Sequence, residues 1–253
     1  MSVLQVDGLV VRYGGRTAVD GLSFAIDSGE IFGLLGPNGA GKTSTLSVIE
    51  GLQPPTAGTV LVDGEDVTHA PLAAKSKLGV QLQPSSFQAE LTIEQLTRLY
   101  AGLYGLRLDR DGIRDRLERM GLDGERAQPF KKLSGGQQQR FSLLVSTLPH
   151  PVLMLLDEPT QGLDPQSRRQ LWTEIEALRG EGGSILLTTH SMEEAQAVCD
   201  RIAIIDHGRL LATGTPAGIV AEYREDPRVR RLAHGEPTLE DVFIGLTGSA
   251  IRD

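Results

Sequence analysis

Apolar and polar residues alternate near the start of this chain, and further on the apolar residues gather into short unbroken runs. Residues 3–13 and 21–26 alternate, with Gly14-Gly15 and Asp27-Ser28-Gly29 as turns, which predicts antiparallel strands with one buried face. Residues 31–35 are apolar without alternation, as in a strand covered on both faces. A glycine-rich loop and a helix from Lys42 to about Gly51 come next. Another strand pair is expected around residues 58–63, turned by Asp63-Gly64, and a further strand over 78–82. Residues 93 to about 120 read as helical, broken near Gly105 and Asp109, in an insertion that runs to Ser134. From residue 152 strands and helices alternate: a strand to Asp157, a helix over 165–179, a strand over 184–188, a helix from Met192 and a strand over 201–205. This rhythm predicts an α/β fold with a mainly parallel sheet and helices on both faces. An N-terminal antiparallel β subdomain and a helical lobe of about 85–148 complete a domain of residues 1–215. The remainder, 216–253, is a short extension whose charged clusters at 222–226 and 228–231 read as solvated faces.

Composition narrows the classes. At 253 residues the chain is long enough to bury a substantial core. The apolar runs at 152–156 and 184–187 fall far short of the ~20 residues that cross a bilayer, and the N-terminus lacks a signal-peptide pattern, so a cytoplasmic location is expected. The single cysteine, Cys199, excludes an intrachain disulfide framework, and its place at a helix end suggests a packing role. A net charge of −8 argues against broad affinity for nucleic acid, so no nucleic-acid partner is expected.

Three short segments carry candidate chemistry. Gly36-Pro37-Asn38-Gly39-Ala40-Gly41-Lys42-Thr43, followed by Ser44, fits Gly-x-x-x-x-Gly-Lys-Thr between a strand and a helix. Glycines there let backbone N–H groups converge on phosphate, the helix start adds positive potential, Lys42 reaches the terminal phosphates and Thr43 offers a hydroxyl to magnesium. Asp157 and Glu158 end an apolar strand; adjacent carboxylates at a sheet edge need a cation or proton to offset their repulsion. Asp157 suits a magnesium contact and Glu158 is placed to polarise an attacking water. Ser134-Gly135-Gly136-Gln137 opens a helix with a hydroxyl and free N–H groups, a second surface that favours an anion.

This combination, in this order and spacing, resembles the ATP-binding cassette ATPases over roughly residues 1–215. The resemblance implies a P-loop NTPase core that binds ATP with Mg2+ and hydrolyses it. It makes Glu158 the base, Lys42 the phosphate cation, and His190, in Thr188-Thr189-His190-Ser191, a contact to the γ-phosphate and attacking water. Thr43, Gln83 and Asp157 would serve the metal, with Gln83 preferred over Gln81 because it stands before Pro84, where the strand opens into a loop. Tyr13 matches the aromatic that stacks on adenine. Asp164, in Gln161-Gly162-Leu163-Asp164, would face a partner subunit. Ser134, Gly135, Gly136 and Gln137 would serve the ATP held by the opposite protomer, so a second copy of the chain is expected in a head-to-tail homodimer. The lobe would receive an integral membrane permease subunit, which brings the chain to the inner face of the membrane. Leu239-Glu240-Asp241-Val242-Phe243 is similar to the ending of drug and antibiotic exporter cassettes. The alternative is a cassette ATPase acting on nucleic acid or the ribosome.

Overall fold

The computed structural model describes residues 1–248, so the last five positions of the expected extension lie outside the described residues. Ten strands and ten α-helices follow one another in them. The first part holds β1 (Ser2–Tyr13), β2 (Arg16–Asp27), β3 (Ile31–Leu35), α1 (Lys42–Ile49), β4 (Ala57–Val62), β5 (Glu65–Asp66), α2 (Pro71–Ser76) and β6 (Leu78–Val80). The helical stretch consists of α3 (Ile93–Leu103), α4 (Arg110–Arg119) and α5 (Gly135–Thr147). The second α/β part has β7 (Leu153–Asp157), α6 (Pro165–Gly180), β8 (Ser184–Thr189), α7 (Met192–Val198), β9 (Arg201–Asp206) and β10 (Arg209–Gly214). Helices α8 (Pro216–Tyr223), α9 (Pro227–Arg230) and α10 (Leu239–Thr247) end the described chain.

Two sheets result. One is antiparallel, in the order β2-β1-β4-β5. The other runs β10-β9-β3-β8-β7-β6, parallel except for the antiparallel edge strand β10. Strand β3 shows why its run is apolar throughout. Ile31 and Leu35 join the core that includes the lobe and the C-terminal helices, while Phe32 and Leu34 join the core shared with α1 and the antiparallel sheet. With both faces covered, no position is left for a polar residue. Where a Cβ on Gly33 would sit, the Cys199 sulfur is 2.8 Å away, so α7 packs close on β3 and burial pushes the Cys199 thiol up. Cys199 is a packing residue here, as its sequence context suggests.

Three local differences from the sequence expectations have physical causes. Strand β2 starts at Arg16, before the expected Gly21, because Gly21 takes φ 76 inside the strand and hides the alternation. Strand β6 stops at Val80 instead of 82; the Gln81 N–H still pairs with Leu155 O at 3.0 Å, but Pro84, just beyond, has no N–H for the ladder. The helical run divides at 104–109 as expected, where Gly105 takes φ 74 and Asp109 caps α4. Strand β10 was not expected. It follows β9 through His207 and Gly208, both with positive φ, in a tight hairpin. In the C-terminal segment Val229, Leu239, Val242 and Phe243 are buried while the charged residues pair at the surface, as in Arg228 with Asp226 and Arg224 with Glu236. Among the described residues no helix is long and apolar enough to cross a membrane.

Candidate functional site

The loop between β3 and α1 is shaped by close backbone approach. A Cβ on Gly36 would sit 2.5 Å from Ile205 O and one on Gly41, at φ 109, 2.6 Å from Ala18 O. Only glycine fits at both places, and the loop is thereby held against β9 and β2. Pro37, Asn38, Gly39, Gly41, Lys42, Thr43 and Ser44 face a cavity of about 380 Å³, which Tyr13, Arg16 and Glu158 also line. Ala40 is buried beneath it, its N–H on Pro37 O at 3.1 Å. The cradle and its exposed helix start suit a polyphosphate.

Lys42 is nearly buried, and its Nζ donates to Gly36 O at 2.7 Å and stands 3.3 Å from Glu158 Oε1. On the other side of the same carboxylate, His190 Nδ1 lies 3.3 Å from Glu158 Oε2. Glu158 itself has φ 46, a conformation a non-glycine residue rarely adopts, and its N–H donates to Thr188 Oγ1 at 3.0 Å. The Thr188 hydroxyl in turn donates to Asp157 Oδ1, so one threonine of β8 fixes both carboxylate residues. Glu158 borders two further cavities. One, of about 360 Å³, lies between Gln161, Gly162, His190 and Glu240. The other, of about 380 Å³, holds Gln81, Gln83, Gln139 and Asp157.

Gln83 is exposed in that last groove beside Asp157, whereas Gln81 turns back to the helical lobe, its Nε2 donating to Gln139 Oε1 at 3.0 Å. Thr43, Asp157 and Gln83 supply one hydroxyl, one carboxylate and one amide oxygen. This is an oxygen donor set of the kind Mg2+ accepts when substrate phosphates complete its shell. Among the described residues no group of three His, Cys, Asp or Glu offers an all-protein metal site.

Ser134, Gly135, Gly136 and Gln137 stand apart, for none of them lines the Lys42 cavity. Ser134 caps α5: its Oγ accepts from the Gln137 N–H at 3.3 Å while Gln137 Oε1 accepts from the Ser134 N–H at 2.8 Å. Asp164 caps α6 in the same way, accepting from the N–H groups of Gln166 and Ser167 at 3.0 Å and from Ser167 Oγ at 2.6 Å. The Ser167 hydroxyl, followed by its N–H, holds the Asp164 carboxyl below its usual range. The two caps touch, since a Cβ on Gly136 would meet Ser167 Oγ at 2.7 Å.

Several residues at the site were not singled out from sequence. Arg16 is directly across the β1–β2 hairpin from Tyr13, and the turn Gly14-Gly15 between them was the available signal. In sequence Thr188 stands out only as a neighbour of His190, and Gln139 not at all, because their contacts, to Asp157 and Gln81, are with residues far along the chain. Glu194 is 1% exposed at the start of α7; burial pushes its carboxyl up, against the pull of Thr189, Thr160 and Trp172, and its Oε1 accepts from the Trp172 indole N–H at 3.2 Å. Tyr13 is half exposed at the cavity mouth, its hydroxyl donating to Gln53 Oε1 at 2.7 Å.

Residues 19–161 match the ABC transporter family. The chain is 40% identical to Nod factor export ATP-binding protein I of Ralstonia nicotianae, over 99% of this chain and 95% of that protein. It is 38% identical to the probable multidrug ABC transporter ATP-binding protein YbhF of Escherichia coli, over 97% of this chain and 42% of that longer protein. Among solved structures, an ATP-binding subunit of an ABC transporter superposes with a TM-score of 0.81 at 28% identity, covering 96% of this chain and 99% of that one. The cbiO1 subunit of Clostridium perfringens, part of the transporter complex cbiONQ, gives 0.78 at 26%, covering 91% and 94%.

Proposed function

The chain belongs to the ATP-binding subunits of ABC transporters, and from that premise we propose that it hydrolyses ATP in a nucleotide-bridged homodimer and so drives export through a separate membrane subunit. One observation carries the catalytic reading: Glu158 is held between Lys42 and His190, 3.3 Å from each, at the rim of the phosphate cradle. While Glu158 Oε1 stands against Lys42, that oxygen is not open to a water. Triphosphate entering the cradle competes for Lys42, and the freed carboxylate accepts a proton from water as the water oxygen attacks the γ-phosphorus and the bond to the leaving ADP oxygen breaks. Lys42 and the loop N–H groups stabilise the charge that builds on the phosphate oxygens. His190 orients the water and γ-phosphate from the opposite side. A bound Mg2+ supplies positive charge to the phosphate oxygens, with Thr43, Asp157 and Gln83 to hold it. Tyr13 offers its ring to the adenine, and Gly36 through Ser44 wrap the phosphates.

Ser134, Gly135, Gly136 and Gln137, absent from the chain's own phosphate cavity, serve the ATP of a second copy, and Asp164 lies at that junction. The lobe, about residues 85–148, is the side offered to the membrane subunit; Leu99, Leu103 and Tyr104 expose apolar surface there. The Leu239-Glu240-Asp241-Val242-Phe243 ending and the names of the relatives support an exporter. Glu158→Gln should keep ATP binding, read with a fluorescent analogue, and lose at least about a hundredfold in phosphate release, the range set by general-base loss. Turnover near wild type would remove Glu158 from the base role.

A further inference from the structure

Gln53 is the residue on which Tyr13 rests. It follows α1, where Gly51 takes φ 64 and the N–H groups of Leu52 and Gln53 both return to Ser47 O, at 2.9 and 3.3 Å. Thr56 ties the next turn to β1, its N–H on Val10 O at 2.8 Å and its Oγ1 accepting from the Arg12 N–H at 3.0 Å. The backbone around Gln53 is therefore anchored at both ends. Its side chain accepts the Tyr13 hydroxyl at 2.7 Å, and that hydroxyl also lies 3.4 Å from Ser44 Oγ on the phosphate loop helix. The Gln53 Nε2 is buried and makes no hydrogen bond among the described residues, so the side chain's one polar engagement is with Tyr13. A half-exposed tyrosine beside a hairpin turn can otherwise exchange among staggered rotamers about its first side-chain bond.

We propose that Gln53 is a positioning residue for the nucleotide site: it fixes the Tyr13 ring over the mouth of the phosphate cavity as a preformed platform for the nucleobase. The proposal rests on the reading that Tyr13 stacks on the base. A platform already in place lowers the ordering cost of binding and does nothing for the chemical step. The signature is a weaker nucleotide affinity with turnover at saturation preserved.

The test is a double-mutant cycle between Tyr13→Phe and Gln53→Met, with affinity for a fluorescent ATP analogue and kcat and KM for ATP measured on each protein. Each single variant should weaken binding about fivefold, the loss of one hydrogen bond, and raise KM with kcat within about twofold. The double variant should be no weaker than Tyr13→Phe, because the bond to Gln53 is already absent in that protein. Tyr13→Phe deletes only a half-exposed hydroxyl, so it keeps the question open to measurement even if Gln53→Met folds poorly. Tyr13→Ala separates the two layers of the argument. If Tyr13→Ala binds ATP as tightly as wild type, the stacking reading fails. If Tyr13→Ala binds weakly while Tyr13→Phe and Gln53→Met bind normally, stacking stands and the role of Gln53 is overturned. Additive losses in the double variant would also overturn it, by showing that Gln53 acts other than through Tyr13.

Discussion

A carboxyl group outside the proposed chemistry senses the site at the level of single residues. Burial, with the Asp157 charge adding to it, pushes Glu50 from its usual 4.5 up to about 7. Below 4.5 the group is neutral in folded and unfolded chains alike. As pH rises from there to about 7 the unfolded chain ionises while the folded one keeps its proton, so stability falls across that window and then levels. Glu50→Gln should therefore raise the melting temperature above about pH 7 and change it little at about pH 5. Thermal scans across that range decide it, and a gain independent of pH would remove the buried carboxyl as the cause. The phosphate loop and the acidic pair were legible in sequence because each is contiguous and flanked by its strand or helix. Glu50 and Gln53 were not, since each acts on a residue many positions away and neither lies in a recognisable run; Thr188 stands in the His190 run, but its bond to Asp157 spans 31 positions.

Two helix starts meet among the elements, and their glycines carry different duties. A Cβ on Gly136 would meet Ser167 at 2.7 and 2.9 Å, whereas one on Gly135 would make only an ordinary contact with Leu163 at 3.9 Å. Gly136→Ala should cost about 1–3 kcal/mol through overpacking between α5 and α6. Gly135→Ala should leave the melting temperature unchanged or slightly higher, because alanine favours the helix. Both should lose ATPase activity if this surface faces a partner's phosphates, so the pair separates stability from function. Normal activity in a well-folded Gly135→Ala protein would count against that assignment. The start of α5 was marked in the sequence by Ser134, whereas the cap role of Asp164 at α6 came only with the structure. Strand β10 was missed because a His-Gly turn is a weaker hairpin signal than Asn-Gly or Asp-Gly.

At the scale of the whole molecule, the Ser134 helix start stands apart from the cavity lined by Lys42 of the same chain among the described residues. Lys42→Ala and Ser134→Ala proteins should each be nearly inactive alone. In an equimolar mixture half the dimers pair unlike chains, and in each of those both defects fall in one site, so about a quarter of wild-type activity should return if the two sites act independently. Heterodimers verified by mass, with activity still at background, would argue against shared sites. Sequence rhythm revealed the parallel sheet and the lobe but not the strand order, because pairing between β3 and β8 depends on packing over more than a hundred residues. One contact gives the molecule an optical gauge. Its sole tryptophan, Trp172, donates its indole N–H to Glu194, whose carboxyl also bonds Thr160 in the turn after Glu158 and Thr189, the last residue of β8. Tryptophan emission, excited to the red of the four tyrosines' absorption, thus originates at a single point near Glu158 and His190. Stopped-flow mixing with nucleotide can time the rearrangement of that region without an added dye.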